Sequence, residues 1–159
     1  MVKIVRLISV ISLTLISGCG TARVIIDEPP LRQYSSSTIY TESKSTTVGV
    51  PVKLLQHFDE SLNKELAKSF SSGKGLLLEY RFLSFDEGNQ VKRYLAGGVG
   101  DWGTGSLLLE ATFKDSRGDF IGKIRTDGRI SSGFVGGSMK SVLNQAAKEL
   151  SEYAKMTFH

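Results

Sequence analysis

The chain has 159 residues, of which 23% are charged and 40% apolar, and a formal net charge of +4. That length holds one modest domain with a single core. The composition is ordinary for a globular protein and excludes a disordered, a collagenous and a multi-pass membrane protein.

Residues 1–20 carry the first signal. Lys3 and Arg6 form a short basic start, and Leu7 to Ser17 then run for 11 residues without a charge. Such a core fits the roughly 7–15 residues of a secretory h-region, and it is too short to span a bilayer of about 30 Å as a helix. Small Ser17 and Gly18 precede Cys19, the one cysteine of the sequence. The tetrad Ile16-Ser17-Gly18-Cys19 resembles the lipobox of bacterial lipoproteins. The resemblance implies cleavage before Cys19, a diacylglyceryl group on its thiol and an acyl group on the new N-terminus. Two or more acyl chains hold a protein stably on a membrane where one does so only marginally. A lone exported cysteine otherwise has no disulfide partner. The competing readings are an ordinary secretory signal and a short buried helix. Gly20 stands where inner-membrane lipoproteins of enterobacteria usually carry Asp, so the resemblance implies the periplasmic face of the outer membrane, with the inner membrane second. Removing residues 1–18 takes Lys3 and Arg6 and leaves 18 basic against 16 acidic residues. A net +2 lacks the basic excess of a nucleic-acid binder, and export argues the same way.

From Gly20 to about Val50, adjacent Pro29 and Pro30 and the triplet Ser35 to Ser37 predict a semi-extended tether. Residues 37–43 predict a short strand with Ile39 and Thr41 on one face and Tyr40 on the other; a wholly flexible 20–50 is the alternative. Pro51 suits a first helical position. Leu55, Phe58, Leu62, Leu66 and Phe70 then recur at three and four residues, which predicts a helix that "SSGKG" stops, with Gly73 as a left-handed cap. Three strands follow. Leu76, Leu78, Tyr80 and Phe82 alternate with Leu77, Glu79, Arg81 and Leu83. Leu107, Leu109, Ala111 and Phe113 alternate with Leu108, Glu110, Thr112 and Lys114. After a tight turn at 116–119, Phe120, Ile124 and Thr126 oppose Ile121, Lys123 and Arg125. Ser138 is an N-cap for a second helix whose stripe is Leu143, Ala146, Ala147, Leu150, Tyr153 and Ala154.

The predicted order is β-α-β-β-β-α. It calls for an α+β two-layer sandwich, a mostly antiparallel sheet of three to four strands under two amphipathic helices. The helices would cover the face of Leu78, Tyr80, Leu109 and Phe113. The domains are then a signal peptide over 1–18, the lipidated cysteine and tether over 19–36, and one α+β domain over 37–159.

Residues 86–105 demand an explanation, because they hold six glycines and the single tryptophan. A hairpin connection usually takes 2–5 residues, and much longer loops tend to be functional. Gly98-Val99-Gly100-Asp101-Trp102-Gly103 matches G-x-G-x-x-G only formally, since a strand rather than a helix follows. Arg93, Tyr94, Asp101 and Trp102 form a candidate interaction loop, because large amphipathic side chains anchor interfaces. Equally, Trp102 can fold down to cap the core. In "SSGFVGGS", residues 131–138, Phe134 is expected to pack inward as the chain enters the second helix.

Catalytic and metal-binding patterns are thin. His57 sits beside Phe58 on a helix and His159 is the last residue; no Cys/His metal set exists. Asp59-Glu60 and Asp86-Glu87 are sequence neighbours, which cannot oppose each other across a substrate. No serine lies in G-x-S-x-G. The expectation is a non-enzymatic protein with no cofactor and no metal.

The chain also resembles an uncharacterised family of Gram-negative lipoproteins, domain of unknown function 4410, from about Gly75 onward. The residues that carry this are Phe85-Asp86-Glu87-Gly88-Asn89 with Arg93, the glycine run to Gly105, Asp115-x-x-Gly118, and Gly133-x-x-Gly136-Gly137-Ser138. Thr104 stands where the family pattern often has lysine. The resemblance implies a periplasm-facing lipoprotein with an α+β domain and supplies no activity. The function expected is an outer-membrane-anchored interaction or assembly module, bound to the membrane through Cys19 and to an envelope protein or its own copies. The alternative is a binder of a small envelope ligand, a glycan or lipid fragment, with Trp102, Tyr94 and Tyr80 lining a pocket.

Overall fold

Residues 76–86, 106–114 and 120–129 alternate in polarity with period two, and the chain folds them into three long antiparallel strands. The computed structural model describes residues 21–46, 48–89, 104–130 and 137–159. In chain order its elements are β1 (Thr21–Glu28), β2 (Thr38–Ser43), α1 (Val52–Leu66), β3 (Ser71–Ser72), β4 (Leu76–Asp86), β5 (Ser106–Lys114), β6 (Phe120–Arg129) and α2 (Met139–Phe158). The class is α+β with two helices, as the sequence predicts, but the sheet is larger. It has six strands in the order β1-β6-β5-β4-β2-β3.

The sheet is mixed rather than mostly antiparallel. β2 runs parallel to β4, from Ile39 opposite Leu76 to Ser43 opposite Tyr80. Parallel neighbours need a crossover connection, and α1 supplies it. β2 itself agrees with its prediction: Ile39 is buried, Tyr40 is exposed, and Thr41 returns to the inner side.

The tether expected over 19–36 is corrected from Thr21 onward. Thr21–Ile26 pairs antiparallel with β6, from Thr21 opposite Arg129 to Ile26 opposite Ile124. Ala22 and Val24 pack against the core while Arg23 points outward, which is the half-buried alternation of a strand. Residues 29–37 are also docked. Leu31 donates its N–H to the Ile121 carbonyl at 2.9 Å, and Ser36 donates to Phe158 at 2.8 Å. This strap crosses the end of the sandwich and closes the core below α2.

Both helices lie on one face of the sheet. Phe58 of α1 meets Tyr80 and Phe82 edge-on at 5.0 and 5.5 Å, and Phe158 of α2 meets Phe113 at 4.9 Å. The predicted inner face of Leu78, Tyr80, Leu109 and Phe113 is buried. The α2 stripe from Leu143 to Ala154 is buried as expected.

Five local expectations are corrected. Pro51 is the N-cap and not the first helical residue, and Leu54 replaces Leu55 on the buried stripe. The α1 end passes through Ala67 in a right-handed conformation, and only Gly88 and Gly118 have positive φ among the described residues, so Gly73 is no left-handed cap. Ser71 and Ser72 form a short strand beside β2 where only a stop was expected. A register shift between Phe113 and Lys114 sets Lys114 opposite Phe120. It swaps the faces at the start of β6, so that Ile121 is buried and Phe120 is half-buried on the polar side.

Candidate functional site at the end of the sandwich that follows Cys19

The sheet register gathers one end of the molecule. Asp86 at the end of β4 faces Ser106 at the start of β5, Ser106 faces Arg129 at the end of β6, and Arg129 faces Thr21 at the start of β1. The N-terminal turns of α1 and α2 share this end. A cleft of about 420 Å³ lies between Leu54 of α1, the 87–89 segment, and Ser138, Met139 and Lys140 of α2. Cys19, the long glycine-rich loop and the 131–136 segment therefore all join the described structure at this one end.

The root of the long loop has a specific construction. Asp86 Oδ1 accepts the Gly88 N–H at 2.9 Å, and Gly88 has a φ of 73°, a conformation that glycine adopts without strain. A Cβ on Gly105 would lie 2.7 Å from the Glu87 carbonyl and 2.8 Å from that of Asp86. Ile130 donates its N–H to the Gly105 carbonyl at 2.9 Å. Asp86, Gly88 and Gly105 thus form a compact base for the loop. Arg93, Tyr94, Asp101 and Trp102 lie outside the described residues, as do Cys19 and Phe134. Tyr80, expected to line a ligand pocket with Trp102 and Tyr94, is 1% exposed beneath α1. Its hydroxyl donates to Asp59 Oδ1. Burial, and then this hydrogen bond, push the phenol well above its ordinary range.

The opposite end explains another motif. Asp115, 3% exposed, accepts backbone N–H groups from Arg117 at 2.9 Å and Asp119 at 3.0 Å. Arg32 of the strap donates to its other oxygen. Gly118 completes the turn at a φ of 87°. Burial pushes the Asp115 carboxyl up, but these N–H groups and Arg32 more than offset it and hold it low. Asp115-x-x-Gly118 is a structural latch between a hairpin and the strap.

No described element covers the sheet face turned away from the helices, which carries paired charges. Glu79 lies between Lys44 at 3.0 Å and Lys114 at 2.8 Å, Arg81 bonds Glu110 at 2.8 Å, and Arg125 bonds Asp27 at 2.6 Å. Burial pushes Glu79 up, but Lys114 and Lys44 more than offset it and hold it low. Hydrogen bonding from Arg125 lowers Asp27. Among the described residues no group of three or more His, Cys, Asp or Glu is placed to hold a metal ion. No described helix is long and apolar enough to cross a membrane.

A family profile described as Domain of unknown function (DUF4410) matches residues 51–133, just over half of the chain. The chain belongs to this family. The match begins at α1, well before Gly75, and stops short of α2, so Gly136, Gly137 and Ser138 fall outside it. No curated protein matches the chain in sequence. Among solved structures it is similar to the PelC dodecamer from Paraburkholderia phytofirmans, at 15% identity and a TM-score of 0.48, covering 83% of this chain and 97% of that one. A leucine-to-methionine variant of the same dodecamer gives 12% identity and a TM-score of 0.43, over 88% and 98% of the two chains. A candidate lipoprotein from Caulobacter crescentus CB15 gives 16% identity and a TM-score of 0.40, over 74% and 85%. Likeness at this level supports no inference about function.

Proposed function

We propose that the protein is a lipid-anchored module of the cell envelope, held through Cys19 at the periplasmic face of the outer membrane, and that it works by protein interaction rather than catalysis. The observation that carries this reading is the junction at residues 16–21. A lipobox-like tetrad ends on Cys19, and the first strand of the domain begins two residues later at Thr21. The exposed sheet face and the loop based on Asp86, Gly88 and Gly105 are the surfaces such a module would present. A second reading, a binder of a small envelope ligand, draws on the 420 Å³ cleft, which falls within the roughly 300–1,000 Å³ of ligand sites.

The test has two parts on the full-length protein. Mass spectrometry of the mature N-terminal peptide should show a triacylated or diacylated Cys19; an unmodified thiol refutes the anchor. Photo-crosslinking in cells from position 102 should give a defined adduct, either with another copy or with a foreign protein. No adduct, together with a thermal shift caused by a glycan or lipid fragment, would favour the second reading.

A further inference from the structure

We infer that the end of the sandwich formed by the start of β1, the end of β6 and the N-terminal turns of both helices docks on an anionic phospholipid surface, so that the domain stands upright on the membrane. The inference rests on the anchor reading and adds an orientation and a lipid contact to it. Reach decides most of the geometry. The two residues from Cys19 to Thr21 extend at most about 7 Å. β1 has eight residues and at about 3.3 Å per residue runs more than 20 Å from that point. With the acyl chains of Cys19 in the bilayer, the end bearing Asp115 and the strap cannot reach the membrane unless the domain lies flat.

Two exposed lysines without a partner among the described residues favour the upright pose over one lying on the open sheet face. Arg23 and Arg129 flank the start of β1 with side chains 73% and 72% exposed. Lys53 and Lys140, in the first turns of α1 and α2, are exposed and form no ion pair among the described residues. Neither helix has an acidic residue in its first turn, although the positive end of the helix dipole favours one. A lysine there opposes helix stability and suits an external anion. Val52, 68% exposed beside Lys53, adds an apolar side chain. Among the described residues the acidic groups of this end are Asp127, shared by Arg23 and Arg129, Asp86, which accepts from Gly88, and Glu87, against the four cations Arg23, Arg129, Lys53 and Lys140. A pose lying on the open sheet face would instead place the self-paired Lys44, Glu79, Lys114, Arg81 and Glu110 on the headgroups.

The experiment uses the lipidated full-length chain in vesicles of phosphatidylethanolamine and phosphatidylglycerol, and in vesicles of phosphatidylcholine alone. Spin labels go on Val52→Cys or Arg117→Cys, one per protein, with acylated Cys19 unreactive. A nickel chelate on the lipid headgroup reports proximity. In the anionic vesicles the label at 52 should relax strongly and the label at 117 weakly. The contrast should fade in phosphatidylcholine, and each of Lys53→Gln, Lys140→Gln and Arg129→Gln should lower the docked population about fivefold. Equal relaxation at 52 and 117, or a contrast indifferent to lipid charge, overturns the docking while leaving an acylated Cys19, and hence the anchor, intact. An unmodified Cys19 overturns both. The lipid comparison uses unaltered cations, so it decides the matter even if a glutamine variant misfolds.

Discussion

Asp115 shows how a short motif resolves into physics once its neighbours are placed. Its carboxylate collects two backbone N–H groups and Arg32, and its folded titration lies below the ordinary carboxylate value. A group with a lowered folded pKa stabilises the fold above its unfolded value, near pH 4, and that stabilisation is lost as pH falls through the folded value. Glu79 and Asp27 shift in the same direction. Denaturant unfolding from pH 7 to pH 3 should therefore show stability falling below about pH 4. Asp115→Asn should be less stable at pH 7 and have a shallower acid limb; an unchanged limb would mean that the latch contributes nothing. Gly128 makes a different point at the same scale. A Cβ there would sit 2.6 Å from Val142 Cγ1 and 3.1 Å from Leu107 Cγ, so this glycine sets the distance between α2 and the sheet. Gly128→Ala should cost about 1–3 kcal/mol, readable as a lower urea midpoint with an unchanged slope.

At the scale of elements, α1, α2, β4, β5 and β6 are visible in the sequence because each carries its own periodicity over nine or more residues. β1 hides for two reasons. Its eight residues sit between a lipobox-like tetrad and a Pro-Pro pair, and its partner β6 is about a hundred residues away, so no local turn announces the pairing. The parallel pairing of β2 with β4 is hidden similarly, since a crossover leaves no local mark. Phe120 and Ile121 exchange faces through a bulge that period-two counting passes over. At the candidate site, glycines 88 and 105 are conspicuous in the sequence, but their role as a loop base depends on carbonyls of Asp86 and Glu87 brought close by folding. The helix-terminal lysines 53 and 140 look like ordinary surface residues until topology sets both at the end that follows Cys19. The strand reading of β1 is directly testable. Val24 packs on the core, so Val24→Asp should destabilise the domain by about 2–3 kcal/mol in urea unfolding. A flexible tether would tolerate the same change with no shift.

The whole molecule combines a six-stranded sheet, two helices on one face, and a proposed acyl anchor placed where the sheet begins. If orientation is the purpose of that short junction, length should matter more than composition there. An insertion of about 20 Gly/Ser residues between Gly20 and Thr21 adds a coil with a root-mean-square span of about 25 Å, comparable to the length of β1. It touches no described contact, so the thermal midpoint of the domain should stay within a degree or so of the parent. Acylation and membrane fractionation should also survive, because the tetrad before Cys19 is untouched. What should change is presentation. Crosslinks from position 102 to a membrane-bound partner should weaken, and adducts to soluble periplasmic proteins should rise, as the freed domain samples directions that the short junction forbids. An insertion variant with the parental crosslink pattern would show that surface complementarity alone positions the loop, and that the closeness of Thr21 to Cys19 has no part in the function.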